Sequence, residues 1–419
     1  MQKICVLGLG YIGLPTASVL ATNGFEVLGV DVSDFIVQTV GGGGIHIEEP
    51  GLQTVVRAAV QSGNLRAVRE PAPADVFIIA VPTPLTADQR ADMRFVKAAA
   101  ESIVPHLRRD NLVILESTSP PGTCANLLKP LFESAGWTIG ADLFLAHCPE
   151  RVLPGKILRE LIENDRIIGG HTPACAERAR ELYAAFAAGT IFLTTDTTAE
   201  TVKLMENTFR DVNIALANEA ALLCEQLGID YWEVARFANR HPRVQLHTAG
   251  PGVGGHCISV DPWFLVEKCP EEAKLIRMAR ERNDSMPKHV VSVLREMTEG
   301  LEKPKVTILG LAYKGNVDDV RESPAVHVVH GLMEAGLTVC AYDPHVSEGS
   351  AWTASLEDAL RDSDCVALLT DHSEYLAIDP AVAGQLMRGR RLFDTRNALN
   401  AEAWRAAGFH VRRLGAASA

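Results

Sequence analysis

A cysteine closes a glycine-rich run, Gly250-Pro251-Gly252-Val253-Gly254-Gly255-His256-Cys257, and a carboxylate, Asp261, follows four residues later. Glycine lets backbone approach a ligand without a Cβ in the way, at an entropic cost that the fold must offset. A thiol at such a place can be a nucleophile. It can equally be one of the buried cysteines that serve as small core residues. A second set lies in residues 198–227, a stretch without Gly or Pro, where Lys203, Asn207 and Arg210 stand at i, i+4 and i+7 and share one helix face. Such a row is usually solvated. A mixed Lys/Asn/Arg row also suits a site that holds oxyanions and moves a proton.

The third set is a glycine pattern. Residues 3–7 (KICVL) are a short apolar run, read as a buried strand, leading into Gly8-Leu9-Gly10-Tyr11-Ile12-Gly13 and then a helix-forming stretch. Gly8 permits the tight turn, Gly10 lets backbone approach a pyrophosphate, and Gly13 lets helix pack on strand. The helix N-terminus then offers its amides to phosphate. A strand at residues 25–30 ends in Asp31, eighteen residues beyond Gly13. A carboxylate there accepts hydrogen bonds from ribose hydroxyls and repels a 2′-phosphate, which predicts NAD rather than NADP. Strands at 75–81 and 111–116 end in Pro82-Thr83-Pro84 and Ser117-Thr118-Ser119-Pro120-Pro121-Gly122. Ligands of doubly wound sheets lie at such strand ends, so Pro82, Thr83 and Thr118 join Gly8, Gly10, Tyr11, Ile12, Gly13 and Asp31 as cofactor contacts. Ordinary turn chemistry accounts equally well for the two threonines.

These groups need elements to hold them. Thr197 and Glu200 have capping-box spacing, and a helix from there to Gly228 would be about 45 Å long. Such a rod connects domains or packs on its own copy. Val202, Met205, Phe209, Val212 and Leu216 are expected on its buried side. Charge stands beside proline in residues 148–155 (CPERVLPG), after a strand at 142–146, and in residues 239–243 (NRHPR). Loops of this kind carry substrate contacts, although plain solvent exposure is the commoner case. In the last third, strands at 305–309, 338–342 (followed by Asp343) and 365–370 echo the first strands in spacing, without a full GxGxxG. The loop 312–324 adds Lys314 and Arg321, two cations that suit a diphosphate as well as they suit a bare surface.

Composition bounds the rest. At 419 residues the chain predicts two or three domains, and 47% hydrophobic with 22% charged residues describes a soluble globular protein. A net charge of −12 argues against a non-specific grip on nucleic acid or an anionic membrane. Nine scattered cysteines, none in a CxxC, argue against a disulfide framework and a structural zinc site, so no metal is expected. No apolar run reaches the ~20 residues that span a bilayer. The first apolar stretch is broken by glycines, unlike a signal peptide, which points to the cytoplasm. The expected fold is α/β: two Rossmann-like doubly wound domains joined by a long central helix and a small helical domain, divided at 1–196, 197–298 and 299–419.

Seven motifs taken in order resemble the UDP-glucose/GDP-mannose dehydrogenase family over nearly the whole length. They are GLGYIGLP (8–15), ESTSPPG (116–122), CPERVLPG (148–155), the Lys203–Asn207–Arg210 row, NRHPRV (239–244), PGVGGHCISVDPWF (251–264) and GLAYKGNVDDVRESP (310–324). Two departures stand out. Gly41 to Gly44 are four glycines where the family has a mixed segment, leaving that conformation open, and Tyr313 precedes Lys314 where Phe is common. The resemblance implies oxidation of a sugar C6 alcohol to a carboxylate, four electrons passing to two NAD. NRHPRV and HCISVD imply an N-acetylated hexosamine, UDP-N-acetylmannosamine ahead of UDP-N-acetylglucosamine or UDP-glucose, for surface polysaccharide precursors.

Roles follow from the same resemblance. Cys257 carries the half-oxidised sugar; Lys203 handles the alcohol proton and with Asn207 stabilises the oxyanion; Asp261 positions water or the lysine; Glu150 assists thioester hydrolysis as a base. Arg151, Val152, Arg210, His241, Arg243, Gly252, Gly254, Tyr313 and Lys314 hold substrate beside Lys203 and Asn207, and Arg321 reaches the cofactor. The assembly is expected to be a homodimer or larger. The rivals are a single-hydride reductase, an epimerase and a non-catalytic sugar-nucleotide sensor, separated by NADH formed per sugar: two, one or none.

Overall fold

Beyond Lys3, strand β1 (Lys3–Leu7) is apolar because both faces of its sheet are covered: Ile4 and Val6 enter one core cluster, Cys5 and Leu7 another. The same alternation divides Val76 and Ile78 from Phe77 and Ile79, and Leu112 and Ile114 from Val113 and Leu115. Continuous hydrophobic strands of this kind belong to a sheet with helices on both sides. The remaining strands of this sheet are β2 (Glu26–Val30), β3 (Leu65–Val68), β4 (Val76–Ile79), β5 (Asn111–Leu115), β6 (Leu143–His147), β7 (Arg166–Gly170) and β8 (Ile191–Thr195). Their order is β3-β2-β1-β4-β5-β6-β7-β8, parallel except for β6 against β7. The chain reverses direction across the sheet between β1 and β4, the switch point at which doubly wound sheets bind ligands.

The computed structural model describes residues 2–347, 349, 351–353 and 355–417. The first sheet lies in a unit of Met1–Glu206 and Trp263–Pro270; the other unit is Asn207–Pro262 with Glu271–Ala419. That second unit holds an all-parallel sheet of β9 (Lys305–Leu309), β10 (Thr338–Tyr342), β11 (Cys365–Leu368), β12 (Arg391–Asp394) and β13 (His410–Arg413), in the order β10-β9-β11-β12-β13. The expected α/β class with two Rossmann-like sheets and a long helix is what the chain forms. After β10, Asp343 stands where Asp31 stands after β2, but it is buried and closed. Burial opposes its charge, yet bonds from His372 (2.9 Å) and the Leu311 and Ala312 amides (2.7 and 3.0 Å) hold its carboxyl down to about 2. Gly41 to Gly44 form a helix exit: Asp34–Gly41 is helical, and the Gly43 carbonyl accepts from Gln53 at 2.7 Å. Among the described residues no helix is long and apolar enough to cross a membrane.

The long helix spans Asp196–Leu227 and corrects two expectations. The capping box at Thr197 and Glu200 is absent. Thr195 Oγ1 accepts the Thr198 amide instead (3.3 Å), while the buried Glu200 carboxylate accepts the Gly122 and Cys124 amides at 2.5 and 2.9 Å. Those amides lie in a turn that supplies them no other partner, so the carboxylate goes there. The buried face is also not the expected one: Met205, Phe209 and Leu216 are 48%, 63% and 52% exposed, and Leu204, Ala217 and Ala221 are buried with Asp211 and Asn218 instead. Asp211 and Asn218 are buried because Arg280 and Asn283 meet them, at 2.5 Å for Arg280–Asp211 and 2.9 Å for Asn283–Asn218. A charge-assisted network of this kind keeps the polar side inward.

Candidate active site

In the first unit the glycine turn after β1 sits at the switch point. Gly8 has φ +92°, and a Cβ there would lie 2.5 Å from the Ala80 carbonyl oxygen. A Cβ on Gly13 would lie 1.8 Å from the Gly8 oxygen, so the helix Gly13–Thr22 packs on the turn only without a side chain. Gly10 differs. No atom lies within 4 Å of the place its Cβ would take, which leaves an open cradle before a helix N-terminus. Tyr11 and Ile12 are half-buried on the same turn. Asp31 accepts the Leu9 amide at 3.0 Å and the Ser33 amide at 2.9 Å, which fixes a half-buried carboxylate beside the turn. An open glycine edge, helix amides and an oriented carboxylate fit the diphosphate and ribose of NAD. Replacing Asp31 with Ala should raise the NADP-to-NAD ratio of kcat/KM about ten-fold or more, the scale of one lost charge-assisted bond plus relieved repulsion; initial rates with each cofactor check it.

The loops after β4 and β5 carry Pro82, Thr83 and Thr118. Turn chemistry falls to neighbours: Ser117 Oγ donates to the Val81 carbonyl (2.7 Å), Ser119 Oγ to Ser117, and Thr123 Oγ1 to Pro120. Among the described residues the Thr83 and Thr118 hydroxyls make no hydrogen bond, and both side chains are half-buried. The loop after β6 is held by Glu49, which accepts the Gly155 and Ile157 amides at 2.7 Å each. Within it Glu150 is buried, accepting from Arg166 at 3.1 Å and from the Arg151 amide at 2.9 Å. The Arg151 guanidinium pairs with Glu206 (2.5 Å) and the Asp165 carbonyl (3.0 Å), and Val152 packs on the core. Lys203 is half-buried on the long helix.

In the second unit Asn207 and Asp261, 8% and 3% exposed, are joined by a 2.6 Å bond from Asn207 Nδ2 to Asp261 Oδ2. Asp261 opens the helix Asp261–Lys268, and its amide donates to the Cys257 carbonyl at 2.8 Å. The cysteine therefore sits one helical turn ahead of the carboxylate. Its thiol is exposed. The other cysteines differ: burial pushes the thiols of Cys5, Cys148 and Cys365 up to about 12, and that of Cys124 well above its ordinary value. Of the nine, Cys257 and Cys269 are the exposed ones, and Cys257 alone lies in the glycine run.

The glycines of that run also admit a close approach within the chain. A Cβ on Gly254 would meet the Glu322 carbonyl and Tyr313 at 2.7 Å, and one on Gly252 would meet Pro324 at 3.1 Å. They let the cysteine loop lie against the loop 312–324. The Gly255 amide donates to the Arg321 carbonyl (3.1 Å), and the Arg321 guanidinium grips Asp319 at 2.9 and 2.7 Å. His241 is exposed and accepts the Arg243 amide at 3.3 Å. Among the described residues the exposed cations of Arg210, Arg243 and Lys314 have no hydrogen bond or ion pair.

Sequence reading missed Arg396, which lines a cleft with Gly252, Tyr313, Pro324, Thr370 and Asp371 at the switch point between β9 and β11. Its signal was its place just past a strand end, in DTRN after β12. It also missed Glu116 and Arg166, which pair with or act on Glu150.

The chain matches three models of the UDP-glucose/GDP-mannose dehydrogenase family: the NAD binding domain over residues 2–187, the central domain over 197–285 and the UDP binding domain over 307–401. It is 49% identical to a UDP-N-acetyl-D-mannosamine dehydrogenase of Methanococcus maripaludis, over 99% of this chain and 97% of that one. It is 47% identical to an NDP-N-acetyl-D-galactosaminuronic acid dehydrogenase of Ralstonia solanacearum, over 96% and 97%. The solved UDP-D-ManNAc dehydrogenase of Pyrococcus horikoshii superposes with a TM-score of 0.93 at 41% identity, covering both chains fully.

Proposed function

Since the chain belongs to the UDP-glucose/GDP-mannose dehydrogenase family and is an NAD-dependent dehydrogenase of that kind, we propose that it oxidises the C6 alcohol of UDP-N-acetylmannosamine to the uronate through Cys257. The observation that carries the reading is the exposed thiol in the glycine run, one helical turn ahead of the paired Asn207 and Asp261. NAD, held at the Gly8–Gly13 turn and Asp31, supplies the hydride acceptor for both oxidations. Lys203 takes the alcohol proton, and Asn207 Nδ2 offers an oxyanion its remaining proton while Asp261 fixes the amide's orientation. Cys257 adds to the aldehyde carbon as a thiohemiacetal, so the reactive aldehyde stays bound, and a second oxidation leaves a thioester. Glu150 then takes a proton from the water that releases the acid. Thr83, Thr118 and Pro82 border the cofactor; Arg210, His241, Arg243, Lys314 and Tyr313 receive the substrate, and Arg321 is assigned to the cofactor.

An N-acetylated substrate is favoured because the relatives named above, at 47–49% identity, both have an N-acetylated sugar in their names. Purified protein with NAD and UDP-N-acetylmannosamine should form two NADH per sugar nucleotide and the uronate, faster than with UDP-N-acetylglucosamine or UDP-glucose. One NADH, or none, would move the assignment to a reductase, an epimerase or a sensor. Its product is a precursor of the kind used in surface polysaccharides, made in the cytoplasm; nine cysteines with no disulfide among them suit a reducing compartment. The chain is divided in three at 1–196, 197–298 and 299–419, a reading supported by family-model matches within each part, over 2–187, 197–285 and 307–401.

The working assembly is a homodimer or larger. On the long helix Phe209, Leu216 and Leu223 recur every seven residues and are 63%, 52% and 53% exposed, with Leu227 at 71%. A heptad stripe in water is the seam of a helix pair. Leu216→Glu with Leu223→Glu should convert a dimer to monomers in light scattering. A double variant that keeps the parental mass would exclude this seam.

A further inference from the structure

We propose that Glu116 is a positioning residue for Glu150: the two buried carboxylates share one cation, Arg166, and Glu116 holds the proton that leaves Glu150 ionised. The inference rests on the reading of Glu150 as the base for thioester hydrolysis. Glu116 follows β5, Glu150 follows β6, and Arg166 begins β7, all at most 7% exposed. Two carboxylates and one guanidinium shielded from water cannot all be charged without a net buried negative charge, so the pair retains one proton.

The geometry assigns that proton. Arg166 is committed to the Glu150 side: it donates to Glu150 (3.1 Å), to Cys148 Sγ (3.6 Å) and to the Leu161 carbonyl (3.0 Å). Its guanidinium lies over the rings of Tyr183 (4.5 Å) and Phe186 (5.6 Å), which fixes its plane. Glu116 instead meets neutral hydroxyls, Tyr183 at 2.6 Å and Thr16 at 3.4 Å. The charged and titratable groups acting on it are Glu150, Arg166, Tyr183 and Cys148. Burial, and then the Glu150 charge, push its carboxyl up to about 7.

This arrangement affects one chemical step. Water oxygen bonds to the thioester carbonyl carbon while one water proton passes to the Glu150 carboxylate. The C–S bond breaks, Cys257 leaves as thiolate, and the new acid ionises to release the second proton. As pH rises through the Glu116 ionisation, a second negative charge appears beside Glu150, which draws the water proton in that direction, and hydrolysis accelerates.

The test is the decay of the Cys257 acyl adduct, trapped by acid quench and weighed by mass spectrometry, from pH 5.5 to 9 with NAD and UDP-N-acetylmannosamine. The parent should show a rise centred near 7. Glu116→Gln, which mimics the protonated acid, should lose that rise. Tyr183→Phe removes a donor that favours the anion and should move it upward by about half a unit. A Glu116→Gln profile that keeps the rise, or a Tyr183→Phe profile superimposable on the parent's, overturns the proposal. Tyr183→Phe decides alone if Glu116→Gln does not fold. Glu150→Gln separates the two ideas: unchanged adduct decay there removes Glu150 as base, whereas slowed decay with an unmoved Glu116→Gln profile removes only the role of Glu116.

A second readout needs no turnover. A carboxyl held above its unfolded value stabilises the fold at low pH, and that contribution is lost as pH rises from about 4.5 to 7. The decline should be shallower in Glu116→Gln than in the parent.

Discussion

Cys257→Ala should form no uronate, with kcat for acid production down on the order of 10⁴-fold or more, the scale seen when a covalent nucleophile is removed. The expectation rests on there being no substitute: burial pushes the Cys148 and Cys365 thiols up to about 12, and Cys269, the other exposed one, lies outside the glycine run. NADH per sugar should fall from two to at most one, because an aldehyde without the thiol escapes or hydrates. Cys257→Ser separates addition from release. An alkoxide is a far poorer leaving group than a thiolate, so the serine variant should accumulate an ester at residue 257, visible by mass spectrometry. Acid formed by the alanine variant at near the parental rate would remove the covalent scheme and leave Asn207 and Asp261 serving a single-step oxidation.

What could be read before folding divides along physical lines. Strands buried on both faces announce themselves, since ICVL and LVIL have only one way to satisfy an all-apolar run. Gly8 and Gly13 were legible for a related reason: each position is sterically closed to any side chain. The long helix was legible in extent but not in orientation. Periodicity marks two faces of a helix and cannot say which is inward when the polar one finds Arg280 and Asn283 as partners. Glu200 shows the same limit, because its spacing to Thr197 fits a cap while its partners, the Gly122 and Cys124 amides, are some eighty residues away in the chain. Glu150 was found through its motif, yet the groups that set its charge, Arg166 and Glu116, come from two other strands. Pairings across a sheet follow from strand order, and that of Glu150 with Arg166 from the one antiparallel step, β6 against β7, which spacing alone does not encode.

Gly10→Ala and Gly13→Ala should part company, although both sit in one six-residue motif. A methyl on Gly13 would stand 1.8 Å from the Gly8 carbonyl oxygen and 3.2 Å from the Ala80 side chain. The turn cannot retreat, because Gly8 itself lies with its own Cβ direction 2.5 Å from the Ala80 carbonyl. Overpacking of this kind costs about 1–3 kcal/mol or more, which in a unit of some two hundred residues lowers Tm by about 2–12 °C. Gly10→Ala meets nothing within 4 Å, so its Tm should stay with the parent's. Its methyl instead enters the space a diphosphate needs, and NAD affinity should fall about ten-fold or more, the loss of one close amide contact to phosphate. Calorimetry and NAD titration of both variants measure the two effects separately. A Gly10→Ala protein that bound NAD like the parent would place the diphosphate away from that edge of the turn, and Asp31 would lose its assignment with it, since the carboxylate and the open edge are fixed to each other by the Leu9 amide.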